Sequence, residues 1–441
     1  MRAMLSGAWP DDPAAQRPDL GLRLRAAGWT PLAVTTNPWL TASHGFGDGF
    51  AVWENTEGQD AAAQVERALA LRAAHADKDV FLLVHVIDPH LPWKEPPHLR
   101  LPAEDRPPVD LGDPLTAQRL RAATPRDARG RAALAAWARR RYLQNVAEVD
   151  EALGVLVQTL GPTTTLVLAA DHGEELLDHG GWDHGRTLYE EQLRVPLLAV
   201  GPGLSAAVHT APVSTRALAA TVAVWAGAAP PPGPSLLDGA PERGFPAGWA
   251  YGAPAAWGLL QGTRKRWVQG RHFHETDLAE DPQERAPALD AWPDAAFGAA
   301  LGEALGRPAG PALRVARDAG SAPAPGDPWV LRCAKPIASV HAVTAPAAGL
   351  RAPEVRQQEL RFEAGPTPLA TELYIWPDPG PCAWSSGGPA AAGVDLRSVH
   401  LPPPIPATAA PPPPDDALRA LGYLDAPPPE AAPPAAPPRP R

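Results

Sequence analysis

Cysteine and long apolar runs are scarce in this chain of 441 residues, and each scarcity excludes a class of protein. The two cysteines, Cys333 and Cys382, are too few for a disulfide framework, although they allow one bond. No apolar run reaches the length of about 18 residues that a membrane-spanning helix needs, so no transmembrane segment is predicted. The formal net charge of −10 argues against a nucleic-acid partner.

Proline is abundant, with 58 residues, and its distribution suggests how the chain is divided. Residues 1–304 have the composition of a globular domain. A Pro/Gly/Ala-rich stretch at 305–327 is predicted to be a linker, and short strand-like runs predict a small β-rich region at 328–400. The Pro/Ala-rich tail 401–441 cannot bury a core, but its amphipathic segment 416–424 predicts a short helix that docks on the body.

The hydrophobic pattern of the first domain alternates between two periods. Apolar residues at spacings of three and four predict helices over 61–74 and 131–160. A nearly continuous apolar run at 79–87 predicts a strand buried on both faces, as in parallel sheets. Shorter apolar runs at 163–170 and 195–201 predict two more buried strands. We therefore predict an α/β fold, with a mostly parallel sheet covered by helices on both faces.

The triplet Asp-His-Gly occurs three times after the strand predicted at 163–170, beginning at Asp171, Asp178 and Asp183. In open α/β sheets, ligands bind just beyond the carboxyl ends of the strands. Carboxylate and imidazole groups there suit a divalent cation. A single triplet is better explained by a helix cap with a solvated histidine, but three behind one strand favour a functional site.

Longer stretches of the chain carry a resemblance to a known family. Residues 170–174 (ADHGE), 184–191 (HGRTLYEE) and 194–196 (RVP) resemble a signature region of the sulfatase branch of the alkaline phosphatase superfamily. Residues 88–93 (DPHLPW) resemble another sulfatase loop, with Trp93 in place of a tyrosine. Family-like motifs continue to about residue 284, so the resemblance covers about two thirds of the chain.

The resemblance implies roles for five residues. Asp171 and His172 would be metal ligands, while His90 and His184 would contact the ester oxygens or protonate the leaving oxygen. Arg186 is a further candidate for binding the oxyanion. The implied cofactor is one divalent ion, with Ca²⁺ expected, or Mn²⁺ or Zn²⁺ for a phosphoester enzyme.

Other polar residues near these motifs are interpreted as structural. His85 lies inside an apolar run, which favours a core histidine with satisfied hydrogen bonds. Asp178, His179 and Asp183 are interpreted as solvated loop residues.

The start of the chain resembles the segment that follows the sulfatase nucleophile. Residues 2–7 (RAMLSG) and the pair Trp9–Pro10 match that segment. The alignment places the nucleophile and the paired metal-binding aspartates upstream of Met1. From this we expect an N-terminally truncated bacterial member that is inactive as it stands, with its cellular compartment left open by the sequence.

The predicted reaction is metal-assisted hydrolysis of a sulfate ester on a small molecule or glycan. One alternative is a phosphoester or phosphonate hydrolase, or a phosphotransferase, of the same superfamily. Another is a binding protein that keeps the fold without turnover.

Overall fold

The computed structural model describes most of the chain, in seventeen stretches. The described residues are 1–9, 17–93, 107–111, 115–238, 244–248, 256–269, 272–286, 294–305, 309–317, 329–337, 339–342, 354–362, 371–376, 378, 380, 382–386 and 394–401. The predicted tail beyond residue 401, with its helix at 416–424, lies outside these residues.

The first part of the chain alternates helices with strands. The helices are α1 Arg2–Ser6, α2 Leu20–Ala26, α3 Ala61–Ala73, α4 Ala117–Ala123, α5 Ala128–Leu160, α6 Glu190–Leu193 and α7 Ala217–Trp225. The strands are β1 Thr30–Thr35, β2 Val52–Asn55, β3 Val80–His85, β4 Leu166–Ala169, β5 Glu175–Leu176, β6 Trp182–Asp183 and β7 Leu197–Val200.

A parallel sheet forms the centre of this part, with β1 between β2 and β3. Successive residues of β3 pack in opposite directions, as the pleat of a strand requires. Leu82 and Val84 join a cluster with α3, whereas Phe81 and Leu83 pack against the cluster that contains α2 and α7. The prediction of an α/β fold with helices on both faces of a parallel sheet is therefore confirmed.

Side-chain caps fix the starts of the two long helices. The carboxylate of Asp60 accepts a hydrogen bond from the backbone N–H of Ala63, at 2.9 Å, and begins α3. Asp127 caps α5 in the same way through the N–H of Gly130, at 2.8 Å. Each such cap is worth about 1 kcal/mol. Because α3 and α5 pack on each other, these caps fix the layer that covers one face of the sheet.

The strand predicted at 195–201 is present as β7, but the prediction that it is buried is wrong. β7 pairs antiparallel with β4, and its side chains Leu198 and Val200 are 58% and 59% exposed. β3 is also only half-buried along its length. The apolar runs predicted burial because a continuous apolar strand is usually covered by other elements on both faces. Among the described residues, β3 pairs with β1 alone and β7 with β4 alone, so the coverage is incomplete.

The later part of the chain is antiparallel β structure around one helix. A first sheet has the order β11-β10-β9-β8, and two further four-stranded sheets have the orders β14-β17-β12-β19 and β15-β16-β13-β18. The elements are β8 Gly244–Gly248, β9 Ala256–Gln261, β10 Arg264–Gln269, β11 His272–Asp277, α8 Ala295–Leu305, β12 Gly310–Arg317, β13 Trp329–Cys333, β14 Ser339–Ala342, β15 Glu354–Arg356, β16 Glu359–Phe362, β17 Thr371–Trp376, β18 Cys382–Ser386 and β19 Val394–Leu401.

Part of the predicted linker 305–327 is a buried strand. β12 lies between β17 and β19, and Ala312, Leu313 and Val315 are buried. Ala312 packs into the core shared by α8, β9 and β10, whereas Leu313 and Val315 face the core between the two last sheets. The composition concealed this strand because its partners lie more than fifty residues further along the chain.

Two smaller expectations can also be compared with the structure. Cys333 and Cys382 form a disulfide that links β13 to β18, as the cysteine count allows. Among the helices of the described residues, none offers an apolar stretch long enough to cross a bilayer.

Candidate functional site

The candidate site lies at the carboxyl end of β4. Asp171 and His172 follow that strand, and the chain then forms the short hairpin of β5 and β6. Gly173 lies close against the chain before β7: its N–H bonds to the carbonyl of Gln192 at 2.9 Å, and a Cβ there would clash with the carbonyl of Glu191. A glycine is needed at this position because the two backbones approach so closely.

Four of the predicted site residues come together in space. The rings of His172 and His184 stack with centroids 3.7 Å apart, and the ring of His90 lies edge-on to His184 at 5.2 Å. Asp171 Oδ1 is 3.7 Å from His172 Nε2. The structure therefore brings together His90 from the loop after β3, Asp171 and His172 from the end of β4, and His184 from the end of β6. The roles of these residues stay predictions.

Solvent reaches part of this cluster. The side chains of Asp171 and His172 are 29% and 40% exposed, whereas His184 is only 9% exposed. The cluster is thus a cleft with an open side at Asp171 and a closed side at His184.

Each of the three histidines has its Nδ1 next to an oxygen. Nδ1 of His172 is 2.9 Å from the carbonyl oxygen of Gly173, and Nδ1 of His90 is 2.5 Å from that of Leu91. Nδ1 of His184 lies near carboxylates instead. Carbonyl oxygens only accept hydrogen bonds, so His90 and His172 carry their proton on Nδ1. In this tautomer Nε2 holds the lone pair that a cation or a proton can take.

Desolvation sets the protonation of the cluster. It lowers the pKa values of His90, His172 and His184, and His184 lowers those of the other two further. For Asp171, desolvation alone would raise the pKa, but the positive charges around it, that of His172 first, outweigh desolvation and lower the pKa. At neutral pH the cluster therefore offers a carboxylate and neutral imidazoles, which are the forms that bind cations.

Two acidic residues complete the closed side of the cleft. Glu174 Oε1 and Asp183 Oδ1 lie 3.3 and 3.1 Å from His184 Nδ1. Burial, and then repulsion by Asp183, raise the pKa of Glu174 to about 8. His90, Asp183 and His184 also bring three possible ligand atoms within 4.8 Å of one another.

Arg186 places a guanidinium group beside the cluster. Its Nε is buried and has no hydrogen-bond partner among the described residues. The backbone of the same residue is held at both ends, by Gln192 Oε1 at 3.4 Å and by Gln269 Nε2 at 2.5 Å. The position of the residue is therefore fixed, while its side chain keeps hydrogen-bonding capacity.

Asp178 is exposed to solvent as predicted, but the same prediction is wrong for His179 and Asp183. Asp183 is 4% exposed and contacts His184, and Asp178 forms an ion pair with Arg139. The ring of His179 stacks on Tyr189, with centroids 3.5 Å apart. The sequence signal for burial was the neighbouring Trp182, which is itself 2% exposed.

His179 joins three segments of the chain. Its Nδ1 lies 2.6 Å from Glu191 Oε1, and its Nε2 lies 3.1 Å from each of the carbonyl oxygens of Gln283 and Glu284. Since all three partners are acceptors, both ring nitrogens donate and the ring is an imidazolium.

His85 does not have the satisfied hydrogen bonds predicted for it. The residue is half-buried, yet its Nδ1 is shut off from solvent and has no partner among the described residues. Desolvation lowers its pKa to about 4, against an opposing effect of Asp171. The ring therefore stays neutral beside the acidic member of the cluster.

Part of the chain matches a known protein family. The sulfatase family profile matches residues 25–228, which include every residue of the cleft. Over these residues the chain is similar to sulfatases. The matched segment runs from within α2 to just after α7, so it contains the whole parallel sheet.

Two curated relatives match shorter parts of the chain. A choline-sulfatase of Rhizobium meliloti (strain 1021) is 35% identical over 94 residues, which are 20% of this chain and 18% of that protein. An arylsulfatase of Volvox carteri is 34% identical over 109 residues, 22% of this chain and 17% of that protein. The matches thus span less than a fifth of the length of these relatives.

One solved structure similar to this chain is a 2-O GAG sulfatase, with a TM-score of 0.47 and 20% identity. The match covers 65% of this chain and 75% of that one. Another such structure is a phosphonate monoester hydrolase from Silicibacter pomeroyi, with a TM-score of 0.48, 19% identity and coverage of 64% and 81%.

Proposed function

We propose that the cleft binds the anionic head of a sulfate ester, together with one divalent cation, and takes part in hydrolysis of the ester. The observation that carries this proposal is the convergence of His90, His172 and His184 beside Asp171 at the end of β4. The similarity of the segment to sulfatases supports sulfate as the group acted on.

Asp171 and His172 would supply two ligands to a divalent cation, which is part of the set that such an ion needs. The carboxylate is ionised, and the Nδ1–H of His172 donates to the carbonyl of Gly173, which leaves Nε2 as the ligand nitrogen. Metal-binding histidines commonly have such a second hydrogen bond. Bound there, the ion would neutralise negative charge on the ester. We propose Ca²⁺, with Mn²⁺ or Zn²⁺ as the ions to expect for phosphoester chemistry.

His90 and His184 would move protons at their Nε2 atoms. An anionic ester nearby favours the protonated imidazole, so it opposes the desolvation that lowers their pKa values. The imidazolium can then donate to an ester oxygen or protonate the leaving oxygen. The nucleophile is a separate residue that we do not assign to any described side chain.

Arg186 would supply a fixed positive charge. Its Nε is buried without a hydrogen-bond partner among the described residues, and burying an unpaired Nε–H is unfavourable. An ester oxygen within reach would satisfy it, and a guanidinium can bind two oxygens at once. The substrate class we propose is a sulfated small molecule or glycan.

Binding of inorganic sulfate tests this proposal directly. We expect calorimetry to show sulfate binding by the full chain in the presence of Ca²⁺, and the substitutions His90→Gln and His184→Gln each to weaken it by about tenfold, or about 1.4 kcal/mol. His209→Gln is the matched control, because that histidine is exposed in a loop. Unchanged affinity in both site variants would contradict the proposal, and tighter binding of phosphate than of sulfate would favour the phosphoester alternative.

A further inference from the structure

Asp183 and His184 are consecutive residues whose side chains meet at one place. Oδ1 of Asp183 lies 3.1 Å from Nδ1 of His184, and the two side chains are 4% and 9% exposed. Consecutive side chains of a regular strand point to opposite faces of the sheet. A local departure from strand geometry is therefore needed to bring this carboxylate onto the neighbouring ring.

The backbone of Asp183 provides that departure. Its φ is +78°, in the left-handed region that side chains other than glycine seldom adopt. Aspartate and asparagine tolerate this conformation best. Pairing of Asp183 with Glu175 in the β5–β6 hairpin holds it there. Such strained positions persist only where surrounding contacts determine them, and they cluster at functional sites.

The second carboxylate oxygen is held from another element. Arg121 Nη1, on α4, lies 3.8 Å from Asp183 Oδ2. The segment after α4 is anchored on the same hairpin, because Trp182 Nε1 donates to Thr124 Oγ1 at 2.8 Å. The carboxylate of Asp183 thus has a guanidinium near one oxygen and the imidazole of His184 near the other.

We propose that Asp183 is a positioning residue for His184, holding the ring proton on Nδ1 and so presenting Nε2 for proton exchange with the ester. A buried carboxylate that faces one nitrogen of an imidazole selects its tautomer in this way. The role rests on the proposed function of His184, but the tautomer itself does not. Glu174, whose Oε1 forms a hydrogen bond with the same nitrogen at 3.3 Å, is the competing candidate.

Nitrogen NMR of the full chain, labelled with ¹⁵N-histidine, measures the tautomer directly. The His184 resonances are assigned by their loss in His184→Asn. Asp183→Asn is the informative variant, because asparagine keeps the tolerance for positive φ while removing the charge. Asp178→Asn is the matched control in the same hairpin, since Asp178 pairs with Arg139 and not with the ring. Glu174→Gln tests the competing carboxylate.

We expect His184 of the unaltered protein, Asp178→Asn and Glu174→Gln to show the Nδ1–H form, and Asp183→Asn to show a mixture with the Nε2–H form. The proposal is overturned if the unaltered protein carries the proton on Nε2. It is also overturned if Asp183→Asn, still folded by its dispersed spectrum, keeps the original tautomer, or if only Glu174→Gln changes it.

Adding inorganic sulfate to the same samples separates this proposal from the proposed function. If His184 shows the Nδ1–H form but its resonances do not move with sulfate, the assigned function of the cleft fails while the positioning by Asp183 stands. If the resonances move with sulfate and Asp183→Asn leaves the tautomer intact, the proposed function of the cleft stands and the positioning by Asp183 fails.

Discussion

Replacement of His179 by glutamine should destabilise the protein most at low pH. The imidazolium joins the loop after β5 to Glu191 and to the carbonyls of Gln283 and Glu284. A hydrogen bond to a charged group contributes about 1.5–3 kcal/mol. The aromatic stacking with Tyr189 adds about 0.5–1.5 kcal/mol. We therefore expect His179→Gln to lower the free energy of unfolding by about 2–4 kcal/mol near pH 6.

The pH dependence has a definite sign. Desolvation alone would lower the pKa of His179, but the hydrogen bond and charge of Glu191, with smaller effects of the carbonyl of Glu284 and the charge of Glu175, outweigh it and raise the pKa. A raised pKa means that the folded protein binds the proton more tightly than the unfolded chain. The stabilisation is thus complete below the unfolded pKa of about 6.5 and is lost as pH rises through the folded value.

Urea denaturation of the unaltered protein and of His179→Gln, from about pH 5.5 to about pH 8.5, measures this difference across the ordinary histidine pKa. Glu174, with a pKa of about 8, titrates in the same pH range. Because Glu174 is present in both proteins, its effect cancels in the difference between their unfolding free energies. His209→Gln, at an exposed position, controls for loss of any imidazole. If the difference in unfolding free energy stays constant or grows with pH, His179 does not stabilise the fold as an imidazolium.

Two further predictions concern stability elsewhere in the chain. Lys265 is fully buried, with Nζ 2.8 Å from Glu190 Oε1 and 3.1 Å from Glu284, so Lys265→Met should lower the free energy of unfolding by about 3–5 kcal/mol by leaving the buried carboxylate of Glu284 unpaired. Urea denaturation beside the exposed control Lys78→Met checks this, and equal effects in the two variants would contradict it. Reduction of the disulfide between Cys333 and Cys382, 49 residues apart, should lower the free energy of unfolding by about 2–4 kcal/mol; an unfolding midpoint unchanged by dithiothreitol would refute that expectation.

The secondary structure of the first domain could be predicted from the sequence, because its signals are local. The caps at Asp60 and Asp127, the helical spacing of apolar residues in α3 and α5, and the short apolar runs of β1 and β3 lie within single segments. The Asp-His-Gly motif after β4 and the residues of the family signature are equally local. These were sufficient to locate His90, Asp171, His172 and His184.

Only the tertiary structure decided which polar residues are buried and what they contact. The left-handed backbone of Asp183, the approach of Arg121 from α4 and the contact of His179 with residues 283 and 284 join segments far apart in sequence. The pairing of β12 with β17 and β19 is equally distant. No local pattern encodes such contacts, since they depend on which elements meet when the chain folds. For the same reason the sequence predicted burial for β7 and solvation for Asp183, and the structure reversed both.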